Sequence, residues 1–354
     1  MSSSSVLTTR SPRWAALILA LAVLAAGCQR APERHDARLL VFGTLVDITL
    51  YGLAPERARA VVADLEEHLQ RWHRQWHPWE GDGLAAVNRQ LAEDGEAAVP
   101  EALRPLVRQA LELARDSDHR FHPGLGALVR LWGFENGSNL PQAPPAEDAV
   151  AQALEALGEP GTISLEDGTL TATRGTRLDL GAFAKGYALA RLAERLAEQG
   201  VDNAIVNAGG DLVALGRPGD RLWRIGVRHP QAEGLLASVE IDGGEAVFTS
   251  GDYERSFSFE GRRYHHILDP ASGSPARGLT SVTVLDDEPA RADAAATALF
   301  VAGAEDWPAV AAGLGLSNVM VVFEDGTVEI TPELAERVRF EVEPAPRLRV
   351  RSLP

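Results

Sequence analysis

The chain has 354 residues, of which 45% are hydrophobic and 24% are charged. This composition is typical of a folded globular protein and excludes extensive disorder. Its 50 acidic and 34 basic residues give a formal net charge of −16. That charge argues against a nucleic-acid partner, because neutralising phosphate requires a basic face. An anionic ligand would need a local positive group, such as a metal ion, a lysine or a helix N-terminus.

The first segment has the pattern of an export signal that ends at the single cysteine. Arg10 and Arg13 precede an apolar stretch over residues 14–27, which is short for a membrane span. The sequence LAAGC at residues 24–28 is similar to a lipobox. We therefore expect a lipoprotein signal peptide over residues 1–28 that ends at a lipidated Cys28. The alternative is an ordinary signal peptide with an incidental cysteine.

Residues 29–37 show no apolar period and are predicted to be a tether. After it, Pro55 opens an apolar repeat of three to four residues, which is typical of a surface helix. The Asp167-Gly168 dipeptide predicts a two-residue hairpin. Helices are predicted over residues 55–76, 101–116, 146–157, 182–199 and 290–302. Strands are predicted over residues 39–51, 162–179, 203–215, 222–228, 236–241, 246–250, 255–260 and 279–286 and around 325–326.

This order of elements mixes hairpins with helices. It favours an α+β fold, a mainly antiparallel sheet with packed helices, over a doubly wound parallel fold. We predict one domain over residues 38–340. The proline-rich residues 341–354 are expected to form a loose C-terminal tail.

Residues 291–300, RADAAATALF, open a helix and place Asp293 and Thr297 four residues apart, on one helix face. A carboxylate and a hydroxyl are hard oxygen donors of the kind that Mg²⁺ prefers. The alternative is that Asp293 caps the exposed start of the helix and Thr297 packs.

Residues 264–273, YHHILDPASG, leave a strand and enter a turn, where reactive side chains are often displayed. Neighbouring residues of a strand point to opposite faces, so at most one of His265 and His266 should face a given pocket. The alternative is a surface or core histidine with a satisfied hydrogen bond.

Two glycine-rich segments suggest close approach of a ligand to the backbone. Residues 179–187, DLGAFAKGY, stand before a helix, so amide groups and Lys185 could bind an anion there. The segment lacks the P-loop and dinucleotide-binding patterns. Residues 207–211, NAGGD, could equally form a tight structural turn.

Together these segments resemble the FAD:protein FMN transferase family, the ApbE-like flavin transferases, in their residues and in their order along the chain. The family patterns are D-L-G-G-x-A-K-G-Y, N-x-G-G-D, S-G-D-Y, H-H-I-x-D-P and A-D-x-x-x-T-A-L. The matching segments are residues 179–187, 207–211, 250–253, 265–270 and 292–299.

The resemblance implies a Mg²⁺ site formed by Asp293, Thr297 and the backbone carbonyl of Ala182. It also implies an FAD site. The residues expected in that FAD site are Phe42, Trp79, Phe121, His122, Asp179, Lys185, His266 and Ile267.

At three of these positions the residue differs from, or only loosely matches, the family pattern. His122 stands where the family has Asp, so a backbone contact to the flavin is expected there. Phe42 replaces a methionine, which would make that flavin contact aromatic. Trp79 is expected to stack on the flavin; the alternative is that the tryptophans of this region pack a helix end.

By this resemblance, the protein transfers the FMN half of FAD to a Thr or Ser hydroxyl of an acceptor protein and releases AMP, with Mg²⁺ as cofactor. His266 is expected to assist proton removal from the hydroxyl. One alternative is an FAD pyrophosphatase that releases FMN and AMP. Another is a flavin-binding lipoprotein without catalysis.

The resemblance also implies partners and a location. The expected partners are FAD and the acceptor flavoprotein subunits of membrane redox complexes. We expect the protein on the periplasmic side of the inner membrane, held by its lipid anchor.

Overall fold

A computed structural model describes residues 33–136 and 140–354. The predicted signal peptide and lipidation site, residues 1–28 with Cys28, lie outside the described residues. In the part of the chain that is described, no helix is long and apolar enough to cross a membrane.

The strands of the described residues are short and separated by glycine-rich turns. In chain order they are β1 (Arg34–Val41), β2 (Thr44–Tyr51), β3 (Glu96–Ala98), β4 (Ser164–Glu166), β5 (Thr169–Thr171), β6 (Ala204–Ala208), β7 (Asp211–Leu215), β8 (Trp223–Arg228), β9 (Leu235–Ile241), β10 (Ala246–Gly251), β11 (Ser256–Phe259), β12 (Arg262–His265), β13 (Leu279–Asp286), β14 (Asn318–Phe323), β15 (Val328–Ile330), β16 (Val338–Phe340) and β17 (Leu348–Val350).

Four helices of the described residues have proline at the first or second position, where its missing N–H costs nothing. In chain order the helices are α1 (Pro55–Trp76), α2 (Leu84–Asp94), α3 (Arg104–Asp116), α4 (Gly126–Leu131), α5 (Glu147–Leu157), α6 (Ala184–Glu198), α7 (Pro289–Gly313) and α8 (Pro332–Ala335). Helix α7 is broken at Gly303, which has a φ of 74°.

Within the described residues, nine strands form one main sheet in the order β1-β2-β6-β7-β10-β13-β14-β15-β17. Every pair in it is antiparallel except β15 with β17. A small sheet has the order β16-β9-β8. The predicted α+β class with a mainly antiparallel sheet is therefore confirmed.

The main sheet has helices on one face and the small sheet on the other, and alternate residues of β14 belong to these two cores. Val319 and Val321 belong to the core that the sheet forms with α1, α6 and α7. Met320 and Val322 belong to the core that the sheet forms with the small sheet. Successive side chains of a strand point to opposite faces, so both faces of the main sheet are buried.

The predicted ends of the domain were wrong. Strand β1 begins at Arg34, inside the predicted tether, because Ala37 and Leu39 pack against the core while their neighbours stay exposed. Strand β17 lies inside the predicted loose tail and pairs in parallel with β15. Strand β1 is paired with the adjacent β2 across a two-residue turn. Strand β17 takes its hydrogen bonds from a segment about twenty residues earlier, which a local pattern does not reveal.

Among the internal elements, the predicted helix over residues 55–76 and the hairpin at Asp167-Gly168 are confirmed. The internal elements that were missed are α2, β3, α4, β12, α8 and β16.

Candidate functional site

The first turns of α6 and α7 meet in direct contact because of a glycine. A Cβ atom at Gly186 would lie 2.4 Å from the Pro289 carbonyl oxygen and 2.7 Å from the Asp293 Cβ. With glycine there, the Gly186 N–H donates to Asp293 Oδ2 at 2.8 Å. Asp293 therefore caps the neighbouring helix rather than its own.

The expectation of an exposed Asp293 was wrong, since the residue is only 5% exposed. Lys185 lies beside it, with Nζ 3.8 Å from Asp293 Oδ1, and also forms an ion pair with Asp211. Burial raises the pKa of Asp293, and Lys185 opposes that shift. Burial lowers the pKa of Lys185, but Asp211 and Asp293 outweigh it and the net shift is upward.

Thr297 lies one turn further along α7, and its hydroxyl is 3.1 Å from the Ser250 hydroxyl at the end of β10. Helix α7 therefore carries a carboxylate and a hydroxyl one turn apart, and the hydroxyl contacts the central strand β10. Ser250 fixes the orientation of the Thr297 hydroxyl.

These oxygen atoms fit a Mg²⁺ ion. Lys185, Asp211 and Asp293 carry one positive and two negative charges in a largely buried cluster, so the cluster can accept a further cation. Within the described residues, no group of three or more His, Cys, Asp and Glu side chains is arranged to hold a metal. A metal here would need hydroxyl, main-chain or substrate oxygens besides Asp293, which suits Mg²⁺.

Asp179 and Ala182 belong to the tight turn that leads into α6. Asp179 Oδ1 accepts the Gly181 N–H at 2.7 Å. Burial raises the pKa of Asp179, and the Gly181 hydrogen bond opposes the shift. Ala182 lies two residues before the start of α6.

Asn88 ties this turn to the loop after α1. Its Nδ2 donates to the carbonyl oxygens of Pro78 and Leu178, at 3.1 and 2.8 Å, and its Oδ1 accepts the Leu178 N–H. Trp79 follows Pro78 directly and Asp179 follows Leu178. The two predicted FAD contacts are thereby held close together.

The tryptophans of this region divide between two roles. Trp72 and Trp76 stack on each other with ring centroids 5.3 Å apart, so they pack the end of α1. Phe42, in the β1–β2 turn, stacks on Trp76 at 5.8 Å. Trp79 is half-buried in the following loop. Phe42 and Trp79 thus keep the exposure that a flavin contact requires.

Phe121 and His122 lie beside the same turn, because the Asp179 N–H donates to the Pro123 carbonyl at 2.8 Å. The Phe121 ring is 1% exposed and packs against Phe183. Burial lowers the pKa of His122 to about 4, and its Nδ1 accepts the Gly124 N–H. Any ligand contact of Phe121 must therefore come from its main chain.

The side chains of the two adjacent histidines point in different directions, as predicted. His265 Nε2 donates to the Ala276 carbonyl at 2.9 Å and its ring lies against Phe300, so it is a core residue. His266 lies on the other side, near Arg255 and Phe134. Burial, followed by the charge of Arg255, lowers the pKa of His266 to about 3.

His266 is therefore neutral at physiological pH, and within the described residues its Nδ1 has no hydrogen-bond partner. Ile267, the next residue, is 4% exposed, and its carbonyl accepts the Ala276 N–H. A ligand contact of Ile267 would have to come from its main chain.

The sequence analysis missed four residues that shape this site: Asn88, Asp211, Ser250 and Arg255. Asp211 and Ser250 belong to the N-x-G-G-D and S-G-D-Y segments, which it had matched without giving these side chains a role. Arg255 stands near Asp179, Lys185 and His266, whose pKa values its charge affects. With Lys185, Arg255 supplies the local positive charge that an anionic ligand needs in a protein of net charge −16.

Residues 42–322 match the model of the ApbE family. The chain is 38% identical over 333 residues to an FAD:protein FMN transferase of Rhodobacter capsulatus, covering 91% of this chain and 62% of that protein's length. It is 34% identical to an FAD:protein FMN transferase of Treponema pallidum, covering 88% of this chain and 90% of that one.

Solved structures agree in fold. The ApbE protein of Thermotoga maritima superposes with a TM-score of 0.78 at 31% identity, covering 88% of this chain and all of that chain. The apo form of Pseudomonas stutzeri flavinyl transferase ApbE superposes with a TM-score of 0.75 at 30% identity, covering 88% of this chain and 98% of that one. By sequence and by fold, the chain belongs to the ApbE family.

Proposed function

We propose that this protein is an FAD:protein FMN transferase, which moves the FMN half of FAD onto a Thr or Ser hydroxyl of an acceptor flavoprotein. Two lines of support combine. The relatives carry that name over most of this chain's length. The buried cluster of Lys185, Asp211 and Asp293, at the meeting point of two helix N-termini, is the observation that carries the proposal.

In the proposed reaction, the acceptor hydroxyl oxygen forms a bond to the FMN phosphorus of FAD. The bond from that phosphorus to the bridging oxygen breaks, and AMP leaves with that oxygen. Lys185 would meet phosphate oxygens. Positioning and charge neutralisation are expected to supply most of the rate increase.

The proposed cofactor is Mg²⁺, held by Asp293, Thr297 and the Ala182 carbonyl. When bound, it would neutralise negative charge on the pyrophosphate. Asp293 would contribute its Oδ1, since its Oδ2 already accepts the Gly186 N–H.

His266 is proposed to take the proton of the acceptor hydroxyl. It is uncharged at physiological pH, so it can accept a proton. Its low pKa makes it a weak base in the free protein, but two nearby phosphate anions would raise that pKa once FAD is bound. Asp179, Trp79 and Phe42 are proposed to hold the nucleotide and its flavin ring.

The location is also a proposal, supported by the apolar segment over residues 14–27 and by LAAGC at residues 24–28. We place the protein on the periplasmic side of the inner membrane, anchored through acyl chains on Cys28. Two or more acyl chains hold a protein firmly to a bilayer, whereas one holds it marginally. Acceptor subunits of membrane redox complexes would then lie within reach.

Mass spectrometry of an acceptor tests the activity. The protein is incubated with FAD, Mg²⁺ and a candidate acceptor, and the acceptor is expected to gain the mass of FMN minus water while AMP appears. EDTA should prevent both, since two phosphates must otherwise meet a protein of net charge −16. Free FMN with an unchanged acceptor would identify a pyrophosphatase instead, and bound but intact FAD would identify a binding protein.

Replacing the anchor cysteine tests the location. Cys28→Ser is expected to release the protein from the membrane fraction and to leave transfer in solution unchanged, because the chain has no other thiol. Fractionation followed by the same assay measures both. Persistent membrane attachment of the variant would contradict the proposed anchor.

A further inference from the structure

The NAGGD segment forms the turn between β6 and β7, and its geometry leads to Asp211. The Asn207 Oδ1 accepts the Gly210 N–H at 2.8 Å. Gly209 and Gly210 have φ values of 71° and 112°, and a Cβ at Gly209 would lie 2.4 Å from the Thr44 hydroxyl. Glycine is thus required at this turn, which sets Asp211 as the first residue of β7.

The Asp211 carboxylate is held through both of its oxygens. Oδ1 accepts the main-chain N–H of Thr249 at 2.9 Å, and Oδ2 pairs with Lys185 Nζ. The side chain is 7% exposed. Its direction is therefore fixed by the backbone of the main sheet, and it faces the first turn of α6.

Lys185 is the single lysine of the chain, and the other 33 basic residues are arginines. A lysine carries a compact point charge, whereas the arginine guanidinium is a broad planar group. The Nζ atom lies between two carboxylates, in contact with Asp211 and 3.8 Å from Asp293 Oδ1. The compact ammonium group suits the space between the two carboxylates, and the position of Nζ depends on which carboxylate holds it.

We infer that Asp211 is a positioning residue, whose carboxylate holds the Lys185 ammonium group at the edge of the candidate metal site, where a phosphate of FAD is bound. The identity of that ligand rests on the proposed function. Without the negative charge of Asp211, Lys185 pairs with Asp293 alone. The phosphate then loses its lysine contact, and the metal loses part of the charge of its ligand.

A double-mutant cycle on the full-length protein in detergent tests this inference by FAD binding alone. Flavin fluorescence gives the Kd for FAD at saturating Mg²⁺ for the wild type, Asp211→Asn, Lys185→Met and the double variant. Asparagine keeps the size of the side chain and an acceptor for Thr249. Asp211→Asn should raise the Kd about tenfold in the wild type and less than about twofold when Lys185 is already Met.

A second readout follows the lysine itself. Acetylation by an amine-directed reagent, mapped by peptide mass spectrometry, reports Lys185 without interference from another lysine side chain. Labelling should be faster in Asp211→Asn, because the amine is then held by one carboxylate instead of two. The matched control is Asp64→Asn, which breaks the ion pair of Asp64 with Arg195 near the other end of α6 and should leave labelling and FAD affinity unchanged.

The outcomes separate this inference from the proposed function. Equal effects of Asp211→Asn on the Kd with and without Lys185, or unchanged labelling, would overturn the positioning role. Neither measurement requires FMN transfer. A wild type that binds FAD with the expected cycle but labels no acceptor would overturn the transferase proposal and leave the role of Asp211 standing.

Discussion

At the scale of single residues, Asp293 joins two roles that the sequence presents as alternatives. It caps a helix through the Gly186 N–H, and its second oxygen is the proposed ligand of Mg²⁺. The cap belongs to α6, although Asp293 is itself a residue of α7, the fifth from its start. A substitution that separates hydrogen bonding from charge can therefore separate stability from activity.

Two variants of Asp293 test this separation. Asp293→Asn is expected to keep an acceptor for Gly186, to melt near the wild-type temperature and to lose FMN transfer by at least about a hundredfold, equal to roughly 2.7 kcal/mol in the barrier. Asp293→Ala should also lose about 1–3 kcal/mol of unfolding free energy, because a buried N–H is left without a partner. Thermal melts beside the acceptor assay measure both, and wild-type transfer by Asp293→Asn would contradict the metal-ligand role.

At the scale of elements, the site depends on how closely α6 approaches α7. Residues 185 and 293 come together because Gly186 lets the two first turns touch. The same approach places Tyr187 against Trp76, so the aromatic residues at the end of α1 are linked to the charged cluster. Helix packing therefore fixes the geometry of the site as much as the site residues do.

Gly186→Ala tests this packing. Its Cβ would meet the Pro289 carbonyl and Asp293, so the helices must shift apart, at a cost of about 1–3 kcal/mol in unfolding free energy. Urea denaturation measures the loss, and FAD affinity at saturating Mg²⁺ should fall with it.

Gly313→Ala serves as the matched control, since nothing lies within 4 Å of its Cβ position at the end of α7. Alanine there should be neutral or stabilise by up to about 1 kcal/mol. If both variants unfold at the same urea concentration as the wild type, the close approach of the helices is not needed for stability.

At the scale of the whole molecule, buried histidines couple stability to pH. Burial lowers the pKa values of His122 and His265 to about 4, from a usual value of 6.5. Between these two values the unfolded chain binds protons that the folded chain does not. Their contribution to stability is therefore complete above about pH 6.5 and is lost as the pH falls towards about 4.

His122→Asn measures one share of this effect. Asparagine keeps an acceptor for the Gly124 N–H and does not titrate. Relative to the variant, the wild type should lose up to about 3 kcal/mol of unfolding free energy between pH 7 and pH 4. Urea unfolding midpoints of the two proteins are measured at several pH values. Carboxyl groups that titrate in the same range affect both proteins equally, so their contribution cancels in the difference in unfolding free energy. A constant difference would show that His122 titrates normally.

The sequence by itself determined what depends on local spacing and on motif order. Proline at a helix start, the apolar repeat of α1 and the Asp167-Gly168 turn act over a few residues, so they could be recognised without the fold. The five ordered motifs identified the family and supplied most of the predicted site residues, because each motif is a short continuous segment.

Only the tertiary structure decided which side chains meet and which are buried. Lys185 and Asp211 are 26 residues apart, and Gly186 and Asp293 are 107 apart. Their contacts arise from the order of strands in the main sheet and from the packing of α6 on α7. Burial set the protonation of His266 and the helix-capping role of Asp293. Strand β17 likewise exists through pairing with β15, about twenty residues earlier, since an edge strand takes its hydrogen bonds from a neighbour that its own sequence does not specify.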